Sequence, residues 1–271
     1  MINLLLKVLV DNYTYIDQYY LGEPAVCYYL EDEEEKILFD VGYSDIFIHN
    51  AKKMGINLND ISKIICSHGH NDHIGGFSYF GKEYGLQKKT VIAHPETFNK
   101  KIFEGEEIGS LYSTEEMNLK CKLKLSKDSV CVTKNIVFLG EIPNYFNFEK
   151  RNSIGEKIKD GINEKDFLVD DTAIAYKTSN GIFIITGCSH SGICNIIEHA
   201  KRVCKEKRVI GVLGGFHLFE VDERLNKTID YFRKSNITNL YPCHCVSFDV
   251  KAEINKYIKV NEVGVGLKIE L

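Results

Sequence analysis

The chain has 271 residues, enough for one large domain or two small ones around a substantial core. Hydrophobic residues make up 44%, aromatics 11%, and there are only four prolines, which excludes a disordered chain. A formal charge of -4 supplies no basic field and argues against a dedicated nucleic-acid binder.

The opening stretch, MINLLLKVLVDN, is apolar, but Lys7 interrupts it and Asp11 ends it. It is too short to span a bilayer and lacks the cleavage region of a signal peptide, so it reads as a buried first strand over about 2–10. Strands follow at about 25–31 and 36–41, then a helix near 44–54 and a strand at 61–67. The acidic run Glu31–Glu35 between the second and third strands reads as a solvated hairpin turn. A helix near 75–84 and a strand in TVIAHP (90–95) close the first half.

Residues 100–165 are more charged and less periodic, and read as an excursion over the surface that covers a site. The second half loosely repeats the order of the first. SVCVTKNIVFLG, TAIAYKT and GIFIITG read as strands, followed by a helix near 192–205. RVIGVLGG, a helix near 222–234, NLYPCHC and a helix near 249–258 complete the chain. Hairpins followed by alternating helices in each half predict two sheets packed face to face with helices outside, in one domain spanning 1–271. Nine cysteines, odd in number and irregularly spaced, predict a reducing cytoplasm, no required disulfide and mostly small buried thiols.

The densest chemistry lies in Ser67-His68-Gly69-His70-Asn71-Asp72-His73, where three of the nine histidines and an aspartate fall within six residues. The apolar KIIC before it places the motif on a loop leaving a strand. Residues two apart on extended chain point the same way, so His68 and His70 address one point, with Gly69 permitting a tight turn between them. Asp72 and His73 fall where the chain curls into a helix and address a second point. Imidazole and carboxylate suit zinc, or manganese or iron where oxygen donors dominate.

His68-x-His70-x-Asp72-His73 resembles the signature of the metallo-β-lactamase superfamily. So do ILFDVG (Ile37–Gly42), AHPETF (Ala93–Phe98), DDTAIAY, TGCSHSGI (Thr186–Ile193), GGFHL (Gly214–Leu218) and PCHC (Pro242–Cys245), in order along nearly the whole chain. Together they look like the subgroup of dihydropterin ribofuranosylaminobenzene phosphate synthases, many of whose relatives are called metal-dependent hydrolases. The resemblance implies an α+β fold, the four-layer αββα sandwich, and two bound divalent ions, zinc first and manganese or iron as alternatives.

It further implies that His68 and His70 take the first metal, and that Asp72 and His73 take the second together with His244. His190 is expected to complete the first site, within ~2.0–2.2 Å of that metal. Its competing role is as neighbour to a helix cap formed by Ser189 or Ser191. Where many relatives carry a bridging aspartate, this chain has Cys188, expected to be a spectator or small filler. Asp170 and Asp171 stand where relatives often carry a ligand histidine, and are expected to hydrogen-bond around the metals rather than bind them. Asp40, at the end of a strand, either accepts a ring N–H from a ligand histidine or forms a turn, and the resemblance favours the first. His217 is read either as a group for substrate contact or proton transfer, or as a buried structural histidine. His94 resembles an element at the mouth of the site, and His49 and His199 read as surface residues on helices.

The resulting expectation is a hydrolase acting on an ester- or phosphoester-type small molecule with a metal-activated water, with Asp72 and His217 as the catalytic candidates. The alternatives are a transferase forming the pterin-precursor C-glycoside and a non-enzymatic metal-binding protein. A di-iron flavoprotein reductase ranks low, because His70 stands where those relatives carry glutamate and no flavin domain follows. A nuclease would add a basic arm or extra domain, and neither is visible. No nucleic-acid or membrane partner is expected.

Overall fold

The computed structural model describes residues 4–159 and 161–271. It divides into two compact units: Met1–Lys127 with Ser153–Asp170 and Gly264–Leu271, and Asp128–Asn152 with Asp171–Val263.

In the first unit the chain begins with β1 (Leu4–Val10), β2 (Cys27–Asp32), β3 (Glu35–Phe39) and α1 (Ile46–Lys53). Positions 2 and 3, part of the expected first strand, lie outside the described residues. Next come β4 (Lys63–Ile65), the one-turn α2 (Asn71–Ile74), α3 (Phe77–Tyr84) and β5 (Thr90–Ala93). The stretch read as a charged, less periodic surface excursion carries regular structure. It holds β6 (Lys100–Phe103), β7 (Glu106–Glu107), α4 (Thr114–Lys120) and β8 (Lys122–Leu125), and β8 joins the main sheet beside β5.

The second unit opens with β9 (Val130–Cys131) and β10 (Ile136–Phe138), after which β11 (Glu156–Lys159) and β12 (Ile162–Lys165) return to the first. The second unit then continues through β13 (Ala173–Thr178), β14 (Gly181–Thr186), α5 (Ile193–Cys204), β15 (Val209–Gly214), α6 (Glu223–Lys234), β16 (Leu240–Pro242) and α7 (Phe248–Asn255). A last strand, β17 (Lys268–Glu270), pairs with β1 in the first unit.

The first unit's main sheet has the order β17-β1-β2-β3-β4-β5-β8. Its first four strands are antiparallel, whereas β3, β4, β5 and β8 run parallel. Beside it lies an antiparallel sheet, β12-β11-β6-β7. The second unit's sheet, β16-β15-β14-β13-β10-β9, has the same mixed character, with β14, β15 and β16 parallel.

Parallel strands buried throughout read as continuous apolar runs, and β14 (GIFIIT) is buried at every position. Each unit has its own core. Leu38, Phe47, Ile64, Phe77 and Phe80 pack in the first, and Ile184, Ile196, Val212, Phe216 and Phe232 in the second. Helix α5 places Ile193, Ile196, Ile197 and Ala200 on its buried face, spaced three and four apart as an amphipathic helix requires. Among the described residues no helix is long and apolar enough to cross a membrane.

Candidate metal centre

In each unit the candidate site residues sit just past the C-terminal ends of adjacent parallel strands, where an open sheet leaves room for a ligand. In the first unit Asp40 follows β3, Ser67–His73 follow β4 and His94 follows β5. In the second, Cys188 and His190 follow β14, His217 follows β15, and His244 follows β16. Four of these turns need left-handed backbone at a residue other than glycine: Asp40 (φ 58), Ser189 (φ 62), His217 (φ 49) and His244 (φ 52). Such conformations cost free energy and concentrate where the surrounding structure must fix a side chain.

The motif loop of the first unit is built from the backbone up. His70 is extended and caps α2, so Asn71–Ile74 form a single turn with His73 in it. Gly69 and Gly76 fit because other backbone comes too close for a side chain. A Cβ on Gly69 would meet the Thr97 carbonyl oxygen at 2.0 Å, and one on Gly76 would meet that of Val41 at 2.0 Å.

This curl brings the donor atoms together in two pairs. His68 Nε2 lies 3.1 Å from His70 Nδ1, with the rings edge-on at 4.7 Å. His73 Nε2 lies 3.5 Å from Asp72 Oδ2. Two donors about 2.05 Å from one zinc at the tetrahedral angle stand about 3.3 Å apart, so each pair has the spacing of two ligands on one ion. The His68 and His73 rings are 4.2 Å apart, which places the two pairs side by side.

The far sides of the His68 and His73 rings are also anchored. Asp40 Oδ2 lies 2.7 Å from His73 Nδ1 and accepts the Ser67 hydroxyl at 2.7 Å, while Oδ1 accepts the Ser67 amide at 2.7 Å. Ser67 Oγ stands 3.0 Å from His68 Nδ1. The carboxylate fixes the proton of His73 on Nδ1, which leaves Nε2 as the donor. Asp40 thus holds the ring of a candidate ligand and also occupies a tight turn.

The electrostatics of the two pairs differ. Burial, with the Lys101 ammonium nearby, holds His70 down at about 4, so its ring is neutral. Burial alone would lower His73 as well, but the carboxylates of Asp72 and Asp40 outweigh it and raise His73 to about 10.

Asp170 is fully buried in the first unit and accepts the Gly69 amide at 2.8 Å. Asp171, in the second, accepts the Ser191 amide at 2.8 Å, and burial raises its carboxyl to about 6. Both therefore hydrogen-bond to loops that carry candidate ligands. Neither Ser189 nor Ser191 caps α5, whose cap is Gly192 without a side-chain bond. Glu149 does so from a distance, accepting the amides of Cys194 at 3.0 Å and Asn195 at 2.8 Å.

In the second unit the His190 and His217 rings lie 4.4 Å apart, and Phe219 stands edge-on to His217 at 4.9 Å. Cys188 is buried, and its carbonyl accepts the Cys245 thiol at 3.4 Å. His94 is fully buried, and its Nδ1 accepts the Glu96 amide at 3.1 Å. His49 is exposed. His199 is not a surface residue: it is half-buried, with Nδ1 2.9 Å from the Tyr145 hydroxyl and Nε2 3.1 Å from the Leu139 carbonyl oxygen. Its place on α5 carried no sign of this, because Tyr145 approaches from a distant loop. Lys101 and Glu149 had no sequence signal either, both lying in the stretch read as surface, and Asp166 stands just beyond it.

Residues 21–201 match the family model of the metallo-beta-lactamase superfamily. The chain is 33% identical over 254 residues to the uncharacterized protein MJ0448 of Methanocaldococcus jannaschii, covering 93% of this chain and 94% of that one. It is 32% identical over 267 residues to a second protein of that organism, named 7,8-dihydropterin-6-methyl-4-(beta-D-ribofuranosyl)-aminobenzene-5'-phosphate synthase, covering 93% and 90%. Among solved structures, Tm1679, a metal-dependent hydrolase of the beta-lactamase superfamily, superposes with a TM-score of 0.83 at 28% identity and 99% coverage of both chains.

Proposed function

The chain belongs to the metallo-β-lactamase superfamily, with that family's α+β fold, and from that premise we propose a hydrolase of ester- or phosphoester-type small molecules that works through two divalent metal ions. The observation that carries the reading is the pairing of donors in the motif loop, His68 with His70 and Asp72 with His73, each at the spacing of ligands on one ion. Zinc suits the imidazole-rich donors, and manganese or iron would be the alternatives.

A divalent ion held there would lower the pKa of a bound water and polarise a carbonyl or phosphoryl oxygen. The chain's own residues supply the rest. Asp40 holds His73 in the tautomer that presents Nε2, Asp72 offers a carboxylate to orient the attacking water, and His217 is proposed to contact substrate or transfer a proton. We also place the enzyme in the cytoplasm, on the odd number and irregular spacing of its nine cysteines.

A second reading, a synthase-type transferase, is favoured by the similarity to the aminobenzene phosphate synthase over 93% of this chain. The test combines metal analysis of purified protein with a panel of phosphodiester, lactone, thioester and phosphoribosyl substrates. Hydrolysis of a panel member by metal-loaded protein supports the first reading. Two bound metals without hydrolysis of any member favour the second.

A further inference from the structure

Beneath the His68–His70 pair lies a buried ion cluster that the metal reading leaves unused. Lys101, on β6, is 1% exposed, and its ammonium contacts Asp166 Oδ2 at 2.8 Å and Asp170 Oδ1 at 2.9 Å. Both carboxylates are themselves buried. The second oxygen of Asp170 accepts the Gly69 amide at 2.8 Å, in the peptide between the two histidines.

The strand that carries Lys101 grips the loop a second time. Ile108 donates its amide to the Lys101 carbonyl at 2.9 Å, and the Ile108 carbonyl accepts the Asn71 amide at 2.8 Å. The Lys101 side chain also fills the space beside Gly69, where its Cε lies 3.0 Å from the position a Cβ would take.

We propose that Lys101 is a positioning residue for the His68–His70 metal-binding pair, acting through Asp170 and the Gly69 amide; this rests on the metal reading above. A buried ion pair contributes little to stability, because desolvation offsets its Coulomb attraction. Its effect here is directional. Without Lys101, Asp170 would be a lone buried carboxylate free to protonate or turn away, and the Gly69 amide would lose a charge-assisted acceptor. Holding that peptide plane fixes the backbone torsions on either side of it. Those torsions decide whether His68 Nε2 and His70 Nδ1 converge.

The test compares wild type with Lys101→Met and Asp170→Asn, each first shown to be folded by circular dichroism. Cobalt(II) affinity and the visible absorption of the cobalt-loaded protein are measured. Hydrogen exchange of the Gly69 amide is measured on metal-free protein. The expected result is a loss of metal affinity of about 10–100-fold in both variants, as for partners that orient ligands. The cobalt absorption should change, and Gly69 exchange should quicken at least about tenfold while the cores stay protected.

Wild-type affinity, spectrum and Gly69 protection in folded Lys101→Met would overturn the proposal. If Lys101→Met does not fold, the near-isosteric Asp170→Asn decides on the same readouts. A wild-type protein that binds no cobalt would overturn the metal reading. Gly69 exchange in the metal-free variants would still show whether Lys101 holds the loop.

Discussion

The carboxylate of Asp40 lies 2.7 Å from Nδ1 of His73, with both side chains excluded from solvent. An acceptor at Nδ1 keeps the ring proton there and directs Nε2 towards Asp72. Asp40→Asn reverses that instruction, because the amide can turn its NH2 towards Nδ1 and drive the proton to Nε2. The expected outcome is a loss of metal affinity of about 10–100-fold with the fold retained, read by competition with a chelator. Unchanged affinity would show that the ring does not depend on Asp40.

The raised pKa of His73 has a consequence for metal loading. At neutral pH the metal-free protein carries an imidazolium at His73, since its pKa of about 10 lies well above 7. A metal ion must displace that proton, so affinity should rise with pH, by up to about tenfold per unit below that pKa. Calorimetry in buffers of different ionisation enthalpy should count about one proton released from this residue. The same shift acts on the metal-free fold. A histidine whose folded pKa is raised contributes stability that is fully present below its unfolded value, about 6.5, and is lost as pH rises towards about 10. Denaturant midpoints of metal-free protein should fall across that window, and His73→Gln should flatten the fall.

Gly69→Ala tests the packing of the loop without touching a donor atom. The added methyl would lie 2.0 Å from the Thr97 carbonyl oxygen, which is backbone and has little room to yield. Overpacking of this kind costs about 1–3 kcal/mol, and relief requires the loop to move. Thermal denaturation should show lower stability together with reduced metal content. Full stability with full metal content would contradict the close approach.

Glu149 makes a separate prediction in the second unit. Its carboxylate serves the two amides at the start of α5 that Gly192 leaves without a side-chain cap. Glu149→Ala should therefore destabilise the protein by about 1–3 kcal/mol through buried unpaired amides. Burial raises its pKa from an ordinary 4.5, even though the Cys194 and Asn195 amides pull it back. The folded state thus holds the proton more tightly than the unfolded one, and this contribution to stability is lost as pH rises through the raised pKa. Glu149→Gln should remove that slope, as denaturant titrations at several pH values would show.

The parts of this molecule legible in its sequence are those whose signal is local. The apolar runs of β4, β14 and β15, the helical spacing in α5, and the donors packed into His68–His73 each declare themselves within a few residues. The match to the family model bears out the superfamily and fold those motifs suggested. What stayed hidden depends on partners far along the chain. Lys101 looks like one more lysine in a charged stretch, and only Asp166 and Asp170, more than sixty residues on, make it a buried cation. His199 reads as a surface residue in the sequence, but Tyr145, 54 residues earlier, covers it. Strand β8, with its alternating KLKL, is hidden within a charged stretch because its partner β5 is not its neighbour in sequence.

Whether the motif loop holds metal is read from metal content by inductively coupled plasma mass spectrometry in wild type and His70→Ala. The side chain of His70 lines a loop rather than either hydrophobic core, so the variant should fold with unchanged circular dichroism. Wild type should hold about two divalent ions per chain, as two donor pairs require, and His70→Ala should show a clear loss of metal together with loss of turnover. Full metal content and activity in His70→Ala would contradict the metal reading.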